Sequence, residues 1–234
     1  MKKNQKILNT KVDIISISES IDIINKWITE NKIGRYVCLF NVHMCMEAFD
    51  DSNFLKVVND ANLVLADGFP IYFAQKLLGH SNASKIRGVD LTIELSKFSK
   101  INNIPIGFLG GTDRTLKKMK RNMFNEYNID NILYCYSPPF HSLNQDEKND
   151  IIKKINDSGI KILFVGLGCP KQEFWMSEHR TKLNCILIGV GAAFDFLSGY
   201  KKTAPLWMQK IGLEWLHRFY CEPKRLWKRY LKHN

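Results

Sequence analysis

Short runs of β-branched and aliphatic residues alternate along this chain with longer stretches in which apolar positions return every three or four residues. The short runs predict strands at residues 36–40, 63–66, 104–109, 132–136, 162–165 and 186–190, with a further amino-terminal strand near residues 12–15. The longer stretches predict helices at residues 18–29, 44–58, 89–99, 114–125, 145–156 and 171–182. Strands and helices taking turns imply an α/β fold, a doubly wound and mostly parallel sheet with helices on both faces. The strand pattern stops near Gly199. Two helices are expected after it, at residues 205–219 and 223–232, with Pro223 placed to open the second. The chain therefore reads as an α/β body over residues 1–199 and a helical carboxyl-terminal appendage over residues 200–234.

Length and composition agree with a globular body: 234 residues, 45% hydrophobic and 12% aromatic, are enough for a sizeable core. No apolar run approaches the roughly 20 residues that a spanning helix needs. Lys2 and Lys3 resemble the start of a leader, but Asp13 interrupts the stretch after them before an apolar core develops. Cytoplasmic residence is the expectation. The six cysteines form no CxxC pair and mostly fall in apolar runs, which points to buried, reduced thiols.

Charge changes the picture at one end. The formal net charge is +11, and residues 200–234 hold nine Lys or Arg against two acids, so +7 of it lies there together with three of the five Trp. Within the appendage Leu226, Trp227, Tyr230 and Leu231 recur at helical spacing with Arg225, Lys228, Arg229 and Lys232 between them. That face suits an anionic and oily partner, and peripheral contact with the inner face of the cell membrane is expected. Trp207, Trp215 and Leu216, in the first appendage helix, read mostly as ordinary core packed on the body.

In an open parallel sheet ligands bind beyond the carboxyl ends of the strands. Five segments sit there: Asn41 with His43, Asp67-Gly68, Gly110-Gly111-Thr112, Gly166 to Glu173, and Gly189 to Asp195. Asp67 follows the run Leu63-Val64-Leu65-Ala66 and suits a general base, or alternatively a cap for a helix beginning near Pro70. Gly166-Leu-Gly-Cys-Pro-Lys-Gln-Glu173, with Gly168, Lys171 and Gln172, has the make-up of a diphosphate cradle at a helix start, or of a plain tight turn. Gly110-Gly111-Thr112 is a weaker cradle. His43 reads as a core or turn histidine.

Neither glycine segment has the dinucleotide fingerprint or the Walker pattern. There is no Asp-x-Asp triplet, and the six histidines never stand at i, i+4. A reaction without a metal or organic cofactor is expected.

These residues together resemble the WecG/TagA/CpsF family of bacterial glycosyltransferases. The likeness runs from about Phe40 to Arg229. It is carried by Asn41, Ala61-Asn-Leu-Val-Leu-Ala-Asp-Gly68, Arg87-Gly-Val-Asp90 and Phe108-Leu-Gly-Gly111. Further along it rests on Val165 to Glu173, Gly189 to Gly199, Gly212-Leu-Glu-Trp-Leu-His-Arg218 and Glu222-Pro-Lys-Arg225. The resemblance implies an inverting transferase moving N-acetylmannosamine, its uronic acid or glucose from a UDP donor to a sugar on undecaprenyl diphosphate, for cell-surface polysaccharide or teichoic acid. It implies Asp67 as base and Asn41, Arg87 and Gln172 in the sugar and acceptor pocket. It also implies an appendage that closes over the site and brings Arg218, Arg225 and Lys228 or Arg229 to the diphosphate. Gly110, Gly111, Gly168, Lys171 and Asp195 complete the expected substrate contacts. Leu39 stands where many members have threonine, and Lys202-Thr203 where an arginine is commoner. A homo-oligomer is compatible with this reading, and nothing in the sequence counts subunits. The competing class is a nucleic-acid-binding module using the basic carboxyl end; the strand-end acid and the nearly balanced body argue against it.

Overall fold

The computed structural model of the protein describes residues 3–139, 141, 144–224 and 227. Its centre is a sheet of eight strands in the order β1-β2-β4-β3-β8-β7-β5-β6. The strands are β1 (Asn4–Ile7), β2 (Thr10–Asp13), β3 (Tyr36–Phe40), β4 (Leu63–Ala66), β5 (Ile106–Gly110), β6 (Ile132–Tyr136), β7 (Ile162–Gly166) and β8 (Ile186–Gly189). All neighbouring pairs are parallel except the amino-terminal hairpin of β1 and β2.

β3, β4, β5 and β8 are buried at every position. That is what continuous apolar runs require when helices cover both faces. On one face α1 (Ile17–Thr29), α5 (Gly88–Ile101), α6 (Asp113–Tyr127) and α9 (Ala193–Leu197) share a core with Val37, Leu65, Phe108, Phe164 and Ile188. The other face carries α2 (Val42–Asp50), α3 (Ser52–Asn59), α7 (Gln145–Asp157) and α8 (Lys171–His179), packed on Tyr36, Cys38, Val64, Leu163 and Leu187. Phe108 stacks on Phe164 at 5.1 Å and meets Phe194 edge-on at 5.4 Å, fixing α9 over the centre of the sheet.

The expected α/β architecture is present, with local corrections. β1 is an addition to the expected strands. The expected helix over 44–58 is two helices. Asp51 leaves the helical region at φ −127° and ψ 112°, and its carboxylate accepts from the Asn53 amide to start α3. The expected helix over 205–219 is likewise two, α10 (Leu206–Lys210) and α11 (Glu214–Cys221), parted at Gly212. Gly212 has φ +80°, and a side chain there would collide with the Phe69 ring of α4 (Phe69–Leu77). The expected helix over 223–232 falls largely outside the described residues.

The appendage does not bury its aromatics as expected. Trp207 is 59% exposed, Trp215 46% and Leu216 42%. α10 and α11 are short and seat on the sheet rim through Gln209 and Gly212, not through an apolar stripe laid on the body.

Among the described residues no helix is long and apolar enough to cross a membrane. Of the six cysteines, none in a disulfide, Cys38, Cys45 and Cys185 are buried while Cys135 and Cys221 are exposed, so the expectation of buried thiols holds for the first three only.

Candidate active site at the carboxyl rim of the sheet

β3 and β8 lie side by side, yet the chain leaves them toward opposite faces: into α2 after β3, and into α9 after β8. A crevice opens where neighbouring strands part in this way. Asn41 and Asp67 stand at its edge, at the ends of β3 and β4. The Asp67 amide donates to the Phe40 carbonyl at 2.9 Å, which continues the parallel ladder one residue past β4 and sets the carboxylate beside Asn41.

Asn41 has two tasks. Its Oδ1 accepts from the Met44 amide at 3.1 Å and caps α2, while its Nδ2 donates to Asp67 Oδ2 at 3.2 Å. The Asp67 carboxyl is held above the ordinary carboxylate range, chiefly by burial, with Glu214 pushing the same way. Arg218, the Asn41 hydrogen bond and Arg87 oppose that rise. Gly68 N-caps α4 at φ +84° without a side-chain hydrogen bond, so Asp67 is not spent as the cap of that helix.

Arg87, the residue before α5, is only 8% exposed and lies at the same rim, because the Ile86 amide is tied to the Ala66 carbonyl at 2.8 Å. Its guanidinium reaches Asp90 at 3.6 Å and Glu214 at 3.5 Å, and donates to the Gln209 side chain. Glu214 in turn accepts from Arg218 at 2.9 Å. Arg218 lies over the Phe196 ring at 5.2 Å. Two arginines, one from the body and one from the appendage, are thus bridged by one carboxylate next to Asp67. Lys85 adds a hydrogen bond to the Gln209 carbonyl at 2.8 Å. A side chain on Gly88, after Arg87, would press within 3.0 Å of the Val190 carbonyl and 3.1 Å of Leu39.

The glycine turns line up along the rim. A side chain on Gly110 would stand 2.5 Å from the Gly166 carbonyl, and one on Gly166 would enter the Phe194 ring. Glycine is needed there for β5, β7 and α9 to close together. Gly111 is exposed and its carbonyl accepts from Ser137 at 2.7 Å. Gly168 has φ +81° with open space around it, and Lys171, at the start of α8, is exposed.

Gln172 is placed differently from these. It is 3% exposed, accepts from the Gly191 amide at 3.1 Å and donates to Glu173 at 2.6 Å, so it braces the β7–α8 turn against the turn after β8. Glu173 is fully buried, and burial pushes its carboxyl up to about 7. Asp195, on α9, pairs with Lys201 at 2.7 Å, and Lys201 also reaches Glu222 at 3.2 Å. His43 pairs with Glu47 one turn along α2 at 3.7 Å. Arg225 and Arg229 lie outside the described residues. Among the described residues no three His, Cys, Asp or Glu side chains gather to hold an ion.

The rim thus carries a carboxylate with a raised proton affinity, a change of winding between adjacent strands, a glycine turn with open space at Gly168 and arginines delivered from two parts of the chain. Over residues 5–234 the sequence matches the glycosyl transferase WecG/TagA/CpsF family. The chain belongs to this family. It is a glycosyltransferase, as the resemblance implied. It is 28% identical over 218 residues to the N-acetylglucosaminyldiphosphoundecaprenol N-acetyl-beta-D-mannosaminyltransferase of Bacillus subtilis (strain 168), covering 92% of this chain and 82% of that protein. The protein of the same name from Staphylococcus aureus (strain NCTC 8325 / PS 47) is 25% identical over 222 residues, covering 94% of this chain and 85% of its own length.

Sequence reading gave no role to three members of the glycosyltransferase's rim, Gln209, Glu214 and Glu173, and the alternative of Glu173 as solvated surface is corrected by its full burial. Glu214 and Arg218 stand at i, i+4, a spacing that brings an acid and a base together on a helix, and that signal was available. Nothing local in the sequence joins Gln209 to Arg87, which is 122 residues away.

Proposed function

We propose that this glycosyltransferase moves N-acetylmannosamine from a UDP donor to the N-acetylglucosamine of an undecaprenyl-diphosphate-linked acceptor, with inversion and without a metal ion. The observation that carries the reading is the Asn41–Asp67 pair at the rim, faced by the Arg87–Glu214–Arg218 bridge. The names of the Bacillus and Staphylococcus relatives support the choice of sugar and acceptor.

A sugar hydroxyl is a weak nucleophile, and a base in hydrogen-bond reach typically contributes about 10² to 10⁴ in rate. Asp67 takes the acceptor hydroxyl proton as that oxygen bonds to the anomeric carbon. The bond from that carbon to the donor's diphosphate oxygen breaks on the opposite face, and its electron pair leaves with UDP. The raised proton affinity of Asp67 suits a group that must accept a proton near neutral pH. Charge growing on the departing diphosphate is met by guanidinium and amide N–H groups fixed beforehand, those of Arg218 and of the glycine turns. Asn41 holds the carboxylate in one orientation. Gln172 acts by keeping two turns of the pocket in register.

In this reading residues 200–234 form a lid over the rim. The lid supplies Arg218, and its exposed aromatics and cations rest on an anionic membrane surface, where the lipid-linked acceptor is held. The enzyme then works from the inner face of the membrane as a peripheral protein and feeds a cell-surface polymer.

The test is a donor screen on the full chain with a synthetic lipid-diphosphate N-acetylglucosamine acceptor, tracking UDP release and the anomeric configuration of the product, with and without chelator. Release with UDP-N-acetylmannosamine that depends on acceptor, survives chelator and inverts the anomeric centre is expected. Preference for another donor, retention of configuration or loss on chelation overturns the corresponding part.

A further inference from the structure

On α6, which begins directly after the Gly110-Gly111 turn, Arg114, Lys117, Lys118 and Arg121 stand at i, i+3, i+4 and i+7, so four cations share one face of one helix. The opposite face, Thr115, Leu116, Met119 and Met123, is buried in the core. Like charges at this spacing oppose helix formation and serve no packing purpose. On the surface helix α7 the lysines are neutralised instead: Lys148 pairs with Glu178, Lys153 with Asp157 and Lys154 with Asp150. Among the described residues no acid pairs with any of the four on α6.

These four residues, with Asp113 and Tyr200, line an open groove of about 740 Å³. Tyr200 forms its aromatic wall: the Arg114 guanidinium lies 5.6 Å and the Lys118 ammonium 4.4 Å from the ring centroid, and the ring is 44% exposed. Tyr200 is also where the appendage begins. Its neighbour Lys201 is ion-paired to Asp195 and to Glu222, which ties the end of α11 to the start of the appendage.

We propose that the α6–Tyr200 groove binds the phosphate headgroups of anionic phospholipid and is a second contact by which the enzyme lies on a membrane. The proposal deepens the peripheral-docking reading and rests on it, but not on the chemistry assigned to Asp67. Unneutralised cations beside the exposed Tyr200 ring suit a surface that is charged outside and apolar beneath. A nucleic acid would draw on the same four cations, and RNA is therefore the competing ligand in the experiment.

The experiment is co-sedimentation of the full chain with vesicles of phosphatidylglycerol mixed with phosphatidylcholine, against phosphatidylcholine alone. It compares wild type with a variant carrying Arg114→Gln, Lys117→Gln, Lys118→Gln and Arg121→Gln together. Each basic residue near an anionic surface strengthens binding by roughly fivefold, so the fourfold variant should bind anionic vesicles at least about tenfold more weakly. Its melting temperature should be at or above that of wild type, because repulsion between the four cations is relieved, and its transfer to a short-chain, water-soluble acceptor should match wild type. A second variant, Arg114→Lys with Arg121→Lys, keeps the charge and should keep the vesicle binding. Unchanged vesicle binding in the fourfold variant overturns the proposal. So does wild type that titrates with inorganic phosphate or RNA through these residues while ignoring anionic vesicles. Absence of transfer by wild type counts against the chemistry at Asp67 and leaves the vesicle result to be read independently.

Discussion

The Asn41 side chain caps α2 with its oxygen and holds Asp67 with its nitrogen, 3.2 Å from the carboxylate. One residue thereby ties the start of a helix to the proposed base. Asn41→Ala removes both bonds. It should lower stability by about 1 kcal/mol through the lost cap, and it should move the acid limb of the rate profile to higher pH, because a bond favouring ionised Asp67 is gone. Thermal melts and a pH profile of kcat/KM measure the two effects separately.

Glu214 and Arg218 act on Asp67 with opposite signs, Glu214 raising its proton affinity and Arg218 lowering it. With Asp67 as the proposed base, activity follows its ionised form, and the acid limb is expected above the ordinary carboxylate range. Glu214→Gln should shift that limb to lower pH, and Arg218→Ala should shift it to higher pH. Arg218→Ala should also cut kcat by about ten- to a hundredfold, because charge on the leaving diphosphate is met less well. Equal shifts in one direction for both variants would show that the bridge does not act electrostatically on the base.

Glu173 links the same rim to folding. Its carboxyl is buried and pushed up to about 7, so the folded protein binds its proton more tightly than the unfolded chain does. Stability from this group is therefore present at low pH and is lost as pH rises from the ordinary glutamate range through about 7. Glu173→Gln stays neutral and should flatten that loss, gaining at most about 3 kcal/mol above pH 8 relative to wild type. Denaturant melts across pH, with wild type and variant side by side, check the slope.

Gly110→Ala tests the closure of the glycine turns. The added methyl would stand 2.5 Å from the Gly166 carbonyl, on a backbone with φ +124°. A loss of about 2 to 4 kcal/mol is expected from strain and collision together. A melt within about 0.5 kcal/mol of wild type would mean that β5 and β7 can part at no cost.

Much of the fold and rim was legible in the sequence, for physical reasons that also mark where legibility stopped. β3, β4 and β8 are buried on both faces and read as unbroken apolar runs, so their strand ends, with Asn41 and Asp67, could be found directly. β1 was hidden because it is a four-residue edge strand of alternating exposure, Asn4–Ile7, that looks like a polar leader. The apolar spacing lapses over Asp50-Asp51-Ser52-Asn53, a run of cap-forming residues, so the division between α2 and α3 was available in the sequence and the expected single helix overran it. The Trp207 and Trp215 positions carry apolar residues at helical spacing whether the face meets a core or the outside. Spacing alone could not separate these cases. The Arg87–Gln209 and Arg87–Glu214 contacts join distant parts of the chain, and only the folded rim brings them together. The α6 stripe was present in the sequence as four cations at helical spacing, masked by the larger charge of the appendage.

The role of Asp67 is tested most directly by the turnover of Asp67→Asn with a lipid-diphosphate N-acetylglucosamine acceptor and UDP-N-acetylmannosamine. The amide keeps the shape of the side chain and a carbonyl that can accept from Asn41, but it cannot take the acceptor proton. Transfer is predicted to fall by about 10² to 10⁴ with UDP affinity and melting temperature near those of wild type. Turnover within about threefold of wild type, in a variant that folds and binds UDP normally, would contradict the central claim.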